Sequence, residues 1–222
     1  MSDLPILYSF RRCPYAMRAR MALAAAGAEV MLREVLLKDK PAELLAASPK
    51  ATVPVLVLSD DRVIEESLEV MQWALEHRDP LNWLEGEALK SDWISACDGD
   101  FKHWLDRYKY AERYPEQTAE DYRQNAEGFL QKLEDRLSST GWLGGEAANA
   151  VDVALFPFIR QFASVDPSWW QQAPYPNVRQ WLENWLNNAL FSAIMAKYSR
   201  WESGQPGERF PPNPEHSAPT YS

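Results

Sequence analysis

Cys13 is the residue whose setting most clearly suggests chemistry. In Arg11-Arg12-Cys13-Pro14-Tyr15-Ala16-Met17-Arg18 it stands between a β-prone run, residues 4–8, and a segment from Pro14 to Ala26 rich in Ala, Met and Arg. Proline suits the first position of a helix, which makes Cys13 the N-cap. There the free backbone N–H groups and the positive helix end favour a thiolate, with Arg12 or Arg18 adding to the effect, so the thiol is expected to ionise readily and act as a nucleophile. A free cysteine is also commonly a small buried hydrophobe, but the strand–Cys-Pro–helix junction tips the reading toward chemistry. Ala16 occupies the position where a dithiol motif has its second cysteine, so only monothiol chemistry is available locally. Cys97, the other cysteine, is far along the chain and reads as inert burial rather than as a resolving partner.

The elements that would hold Cys13 follow from periodicity. The runs 4–8 and 30–37 flank the helical segment 14–26 as β–α–β, with Gly27 as the helix stop. Pro41 opens a short helical stretch that ends before Pro49. Residues 55–58 and 62–64 read as an antiparallel hairpin around the polar turn Ser59-Asp60-Asp61. A helix from Leu68 follows, with Ser67 as its predicted N-cap. This order is the layout of a thioredoxin-like α/β domain over residues 1–78. Asp79-Pro80 breaks the pattern, and a linker is expected over 79–87. Residues 88–204 carry long helical patterns and no credible strand, so an all-α domain is predicted there. Thr118 and Asp121 form a capping-box start for one of its helices. The remainder, 205–222, holds five prolines and is predicted to be an extended or disordered tail.

Composition narrows the function classes. The 222 residues are 46% hydrophobic and 25% charged, enough for a substantial core without disulfides or metal. Two cysteines and three histidines at unrelated spacings give no metal-ligand pattern. The net charge of −9 argues against nucleic-acid binding. No basic start followed by an apolar stretch suggests a secretory signal, and apolar runs such as Val53–Leu58 are far below the roughly 20 residues that span a bilayer. A cytoplasmic, reducing compartment and no membrane partner are the expectation. The first 78 residues carry 10 basic and 11 acidic groups, so an anion site belongs in this near-neutral part. Of the clustered Arg11, Arg12, Arg18 and Arg20, most are expected on a solvated helix face. Nine of the ten tryptophans lie after residue 79, and most should be core.

Taken together, Cys13-Pro14-Tyr15-Ala16, Leu37-Lys38-Asp39-Lys40-Pro41, Thr52-Val53-Pro54-Val55-Leu56 and Glu66-Ser67 resemble the successive motifs of cysteine-type glutathione transferases, the omega class especially. Asn149-Ala150-Val151-Asp152 is similar to the capping box of that family's second domain, with Asn in place of Ser or Thr. The resemblance implies a thioredoxin-fold N-terminal domain, an all-helical C-terminal domain and glutathione as co-substrate. It implies Cys13 as the catalytic residue and a glutathione site built from Tyr15, Leu37, Lys40, Val53, Pro54, Glu66 and Ser67. In it Pro54 would be cis, and the Val53 backbone would pair with the cysteinyl part of glutathione. Lys40 would meet the glycine carboxylate, and Glu66 and Ser67 would hold the γ-glutamyl end. A second-substrate pocket would draw on Phe101, Trp104 and Tyr108, residues whose spacing equally suits helix–helix packing.

The implied activity is thiol transfer or reduction, in which Cys13 takes glutathione from a mixed disulfide and a second glutathione resolves it. Small or protein disulfides, or dehydroascorbate, would be substrates. Conjugation of glutathione to an electrophile, with Cys13 dispensable and Ser9 or Tyr8 supplying a hydroxyl, is the competing activity. A glutathione- or partner-binding module without turnover is the non-enzymatic alternative. Relatives of this kind are often homodimers, which is the expected assembly.

Overall fold

The computed structural model describes residues 4–212. The chain divides into two compact units: one is the chain up to Leu81 together with the chain from Ala189 onward, and the other is Asn82–Asn188. The first break falls inside the linker read from Asp79-Pro80. The helical unit, however, closes at Asn188 rather than near residue 204, because the last part of the chain returns to the first unit.

In the first unit β1 (Ile6–Ser9), α1 (Pro14–Ala26) and β2 (Val30–Glu34) form the predicted β–α–β, with β1 and β2 parallel. Gly27 ends α1 at φ +66°, a left-handed stop that relieves the final carbonyls. After α2 (Ala42–Ala47), β3 (Val55–Val57) pairs antiparallel with β1 and with β4 (Val63–Ile64). The β3–β4 turn forms over Asp60-Asp61, with Asp61 at φ +64°. Then α3 runs from Ser67 to His77 and packs on α1. Ser67 is the first helical residue and Glu66 the N-cap, one position earlier than predicted.

α1 has no polar face because neighbours surround it: α3 packs along it, as does α10 (Ala189–Ile194). Two of the arginines expected on a solvated face are therefore interior, Arg18 at 2% and Arg20 at 0% exposure. Each is held by a polar or aromatic setting. Arg18 Nε donates to Ser67 Oγ at 2.9 Å. Arg20 faces Glu34 at 3.7 Å and lies over the rings of Tyr198 and Phe210, each 5.4 Å away.

The tail predicted to be extended or disordered includes a strand. β5 (Glu208–Phe210) pairs antiparallel with β2, giving the sheet order β4-β3-β1-β2-β5. The prolines that suggested disorder, Pro206 and Pro211, flank the strand and remove no hydrogen bond within it. Phe210 is fully buried, and Gly207 at φ +97° lets the backbone approach the Leu32 carbonyl, where a Cβ would stand 2.8 Å from that oxygen. The rest of the predicted tail, 213–222, lies outside the described residues.

The second unit is helical among its described residues. It comprises α4 (Asp92–Ala96), α5 (Lys102–Lys109), α6 (Ala119–Thr140), α7 (Ala150–Ala163), α8 (Pro167–Gln172) and α9 (Pro176–Leu186), with shorter turns between. Both predicted capping boxes form. Thr118 Oγ1 accepts from the Asp121 N–H at 3.1 Å while Asp121 accepts from the Thr118 N–H at 3.0 Å. Asn149 Oδ1 accepts from the Val151 N–H at 2.8 Å, showing that Asn serves as this cap. Asp152, fully buried, is more than a capping residue: it accepts from the N–H groups of Leu143, Gly144 and Asn149 and from Trp181 Nε1, all within 3.1 Å. Burial pushes its carboxyl above the ordinary aspartate value, against those four donors.

Candidate active site

Cys13 is the N-cap of α1, with extended backbone (φ −76°, ψ 124°) and Pro14 opening the helix. Its N–H donates to the Phe10 carbonyl at 2.9 Å, and its own carbonyl accepts from Met17 N–H at 2.9 Å, so the loop from β1 delivers the side chain to a fixed point. The thiol is partly exposed and donates to the Val53 carbonyl, with Sγ 3.6 Å from that oxygen. It makes no side-chain cap to the helix amides. Beneath it lies a core cluster of Tyr8, Val35, Leu44, Val53, Val55 and Trp201. Val53 and Pro54 are buried and joined by a cis peptide bond, the isomer the family resemblance implied.

Tyr15 and Ser67 are linked through Arg18. Its guanidinium sits 5.0 Å over the Tyr15 ring and donates to Ser67 Oγ. Ser67 is 4% exposed, whereas Glu66 is exposed and pairs with Lys50 at 2.7 Å. The hydrogen bond that Lys50 donates to Glu66 holds the ammonium pKa above its ordinary value. Leu37 and Lys40 occupy a different stretch, the loop between β2 and α2, where Leu37 is 42% exposed and Lys40 partly buried. That loop contains a tight turn in which Asp39 N–H donates to the Leu36 carbonyl at 3.0 Å.

Neither candidate hydroxyl stands where it can serve glutathione easily. Ser9 is fully buried in β1, and its Oγ has no hydrogen-bond partner among the described residues. Tyr8 is 3% exposed, and its hydroxyl accepts from Arg33 at 2.7 Å. Burial raises the phenol's pKa, so the group stays protonated.

Phe101, Trp104 and Tyr108 belong to the helical unit. Phe101, 1% exposed, packs against Phe129 and Phe162 at 4.8 and 5.6 Å between ring centroids. Tyr108, 5% exposed, packs on Phe162 at 5.2 Å. Trp104 keeps some exposure and stacks on Tyr122 at 6.3 Å. Aromatic packing thus takes up Phe101 and Tyr108 within their own unit.

The family descriptions "Glutathione S-transferase, N-terminal domain" and "Glutathione S-transferase, C-terminal domain" match residues 7–83 and 102–184. The probable glutathione S-transferase parA of Nicotiana tabacum is 30% identical over 172 residues, 74% of this chain and 76% of that protein. The chain belongs to the glutathione S-transferase family. Glutathione S-transferase omega-1 of Sus scrofa is 23% identical, covering 85% of this chain and 79% of its own. The fold is also that of a solved glutathione transferase family member from Pseudomonas fluorescens pf-5 with two glutathione bound. That structure has a TM-score of 0.74 and 20% identity, covering 88% of this chain and 93% of that one.

In this transferase two side chains beyond the sequence candidates pair with them, Arg18 with Ser67 and Lys50 with Glu66. A signal for Arg18 was present: it lies one helical turn from Tyr15 on a helix of almost wholly apolar composition, where an arginine needs an interior partner. Lys50 is an exposed lysine in a loop, and nothing in its local sequence distinguishes it. Among the described residues no group of three or more His, Cys, Asp or Glu comes together to hold a metal, and no helix is long and apolar enough to cross a membrane.

Proposed function

We propose that the protein is a glutathione-dependent thiol transferase of the monothiol, omega-like type, with Cys13 as nucleophile. The observation that carries this reading is the place of Cys13: at the N-cap of α1, partly exposed, and beside the Val53 carbonyl. The burial of Ser9 and Tyr8, at 0% and 3% exposure, supports it further, since neither hydroxyl is presented as the partly exposed Cys13 thiol is.

In the proposed reaction the Cys13 thiol loses its proton to solvent, and the thiolate attacks the glutathionyl sulfur of a mixed disulfide RS–SG. The RS–SG bond breaks, RS⁻ leaves with the bonding pair and takes a proton, and Cys13–S–SG forms. A second glutathione thiolate then attacks the glutathionyl sulfur, releasing GSSG and the Cys13 thiolate. The net change is RS–SG + GSH → RSH + GSSG: one free glutathione supplies the electrons, and the second half of GSSG comes from the mixed disulfide. Peptide N–H groups at the start of α1 favour negative charge on Cys13 both as attacking group and as leaving group. Val53 supplies backbone hydrogen bonds to the cysteinyl part of glutathione beside buried Pro54. Lys40 meets its glycine carboxylate, with Leu37 in the same loop of the site, Glu66 and Ser67 hold its γ-glutamyl end, and Tyr15 packs beside the thiol. Trp104 is the member of the aromatic trio with surface left for a second substrate. The reaction suits a reducing cytoplasm, and a homodimer is the proposed assembly.

A second reading, conjugation of glutathione to an electrophile, is favoured by one observation: the 30% identical relative carries the transferase name without a cysteine-type label. Glutathione-dependent reduction of hydroxyethyl disulfide, coupled to NADPH through glutathione reductase, separates the two. Turnover that disappears in folded Cys13→Ala supports thiol transfer. Equal rates in the two proteins exclude it, and inactivity of both in conjugation assays as well would leave a binding module.

A further inference from the structure

The part of the chain after α10 lies beyond the residue ranges that match the family descriptions, which end at residue 184. It makes three sets of contacts with the N-terminal part of its own unit, and two of them converge on the loop carrying Leu37 and Lys40. The Trp201 N–H donates to the Glu34 carbonyl at 2.8 Å, where β2 runs into that loop. Its ring meets Tyr8 edge-on at 6.1 Å and lies 4.3 Å from the Arg33 guanidinium. Trp201 is 5% exposed and completes the cluster on which Cys13 and Val53 rest. Arg200 forms an ion pair with Asp39, the residue before Lys40, and Ser203 Oγ donates to Glu43 in the first turn of α2. The strand β5 fixes the far end of the segment to β2.

We propose that residues 198–210 form a brace that holds the β2–α2 loop ready for the glycine end of glutathione, with Arg200 and Trp201 as positioning residues. This rests on the glutathione reading of the site. A loop ordered before binding leaves less conformational freedom to be lost when the ligand arrives, so the brace acts on affinity. The Arg200–Asp39 pair is separate from the hydrogen bonds that hold Cys13 at the start of α1, so the rate at saturating glutathione is independent of that pair.

The Arg200–Asp39 pair gives a test that electrostatics alone cannot imitate. Removing Asp39 takes a negative charge from beside Lys40, and by charge alone it would tighten binding of the glycine carboxylate. The brace requires the opposite. Glutathione Kd is measured by calorimetry, and glutathione KM and kcat by disulfide reduction, for wild type, Arg200→Ala, Asp39→Ala, the double variant and the swap Arg200→Asp with Asp39→Arg. Each single substitution should raise Kd and KM about threefold, the size an exposed ion pair supports, with kcat within about twofold. The double variant should be no worse than either single, and the swap should restore most of the affinity.

Trp201→Ala should weaken glutathione binding about tenfold and Trp201→Phe much less, in line with partial retention of a buried aromatic contact. If Trp201→Ala does not fold, the Arg200–Asp39 cycle alone decides. Unchanged Kd in both single variants, tighter binding by Asp39→Ala, or a loss confined to kcat overturns the brace. A folded wild type that does not bind glutathione overturns the site reading itself, and does so before any variant is compared.

Discussion

The Cys13 thiol and the Val53 carbonyl face each other at 3.6 Å across the gap between the start of α1 and the approach to β3. One residue is the proposed nucleophile and the other the proposed backbone anchor for glutathione's cysteine. Two elements far apart in the chain thereby bring the reacting sulfur to the place where a second sulfur would be presented. The contrast with Cys97, fully buried in the helical unit, is sharp.

Exposure to glutathione disulfide should therefore give a single glutathionyl adduct, and peptide mapping by mass spectrometry should place it on Cys13. Modification of Cys97 in the folded protein at a comparable rate would contradict the assignment, because a thiolate must be accessible to exchange.

Ser67→Ala removes the acceptor of a buried hydrogen bond from Arg18. A bond to a charged donor contributes about 1.5–3 kcal/mol, so the variant should lose that order of stability in urea denaturation. Glutathione affinity should fall with it, since Ser67 opens the helix proposed to receive the γ-glutamyl carboxylate. Ser67→Thr, which keeps the oxygen, should recover part of both.

Asp152→Ala strands three backbone N–H groups and the Trp181 indole in the interior of the helical unit. With each buried donor left without an acceptor costing about 1–3 kcal/mol, the loss should be at least ~3 kcal/mol and visible as a lowered denaturation midpoint. Asp152→Asn should be milder, because an amide oxygen still accepts.

Glu34 responds to pH in an unusual direction. Burial raises its carboxyl pKa above the ordinary 4.5, outweighing the Arg11 N–H bond and the Arg20 charge, while burial also lowers the Arg20 pKa. A raised folded-state value means the folded protein takes up this proton before the unfolded chain does. The contribution to stability is complete below about 4.5 and is lost as pH rises through the folded-state value. Glu34→Gln should abolish that gain, so the stability difference between wild type and variant should shift toward the wild type as the pH is lowered from 7 to about 4.5. Parallel denaturation curves at the two pH values measure it, and a shift of the opposite sign contradicts the burial argument.

Much of this architecture is legible in the sequence, for physical reasons that can be named. Pro14 after Cys13, Gly27 after the alanine run and the Thr118 and Asn149 caps are local signals, and each marks the expected helix boundary. What escapes local reading is set by distant partners. Arg20 looks like a surface arginine until Tyr198 and Phe210 arrive from the other end of the chain. The proline count after Gln205 suggests disorder because the docking of Phe210 depends on a sheet edge about 180 residues away, and no local pattern reports an unfilled edge. Ser67 is misplaced by one residue because capping side chains and Arg18 compete for the same hydroxyl, and tertiary packing decides in favour of the arginine.

The antiparallel pairing of β5 with β2 also sets an order of events during synthesis. The helical unit is complete once Asn188 has left the ribosome, whereas the unit that begins first lacks its last strand until Phe210 emerges. For that interval the β2 edge and the seat of Trp201 face solvent or a chaperone, and the proposed active site is among the last parts of the molecule to be finished. A nascent or prematurely terminated chain ending near residue 190 would carry the nucleophile and every glutathione contact proposed for it, yet expose the very edge through which unfinished sheets stick to one another.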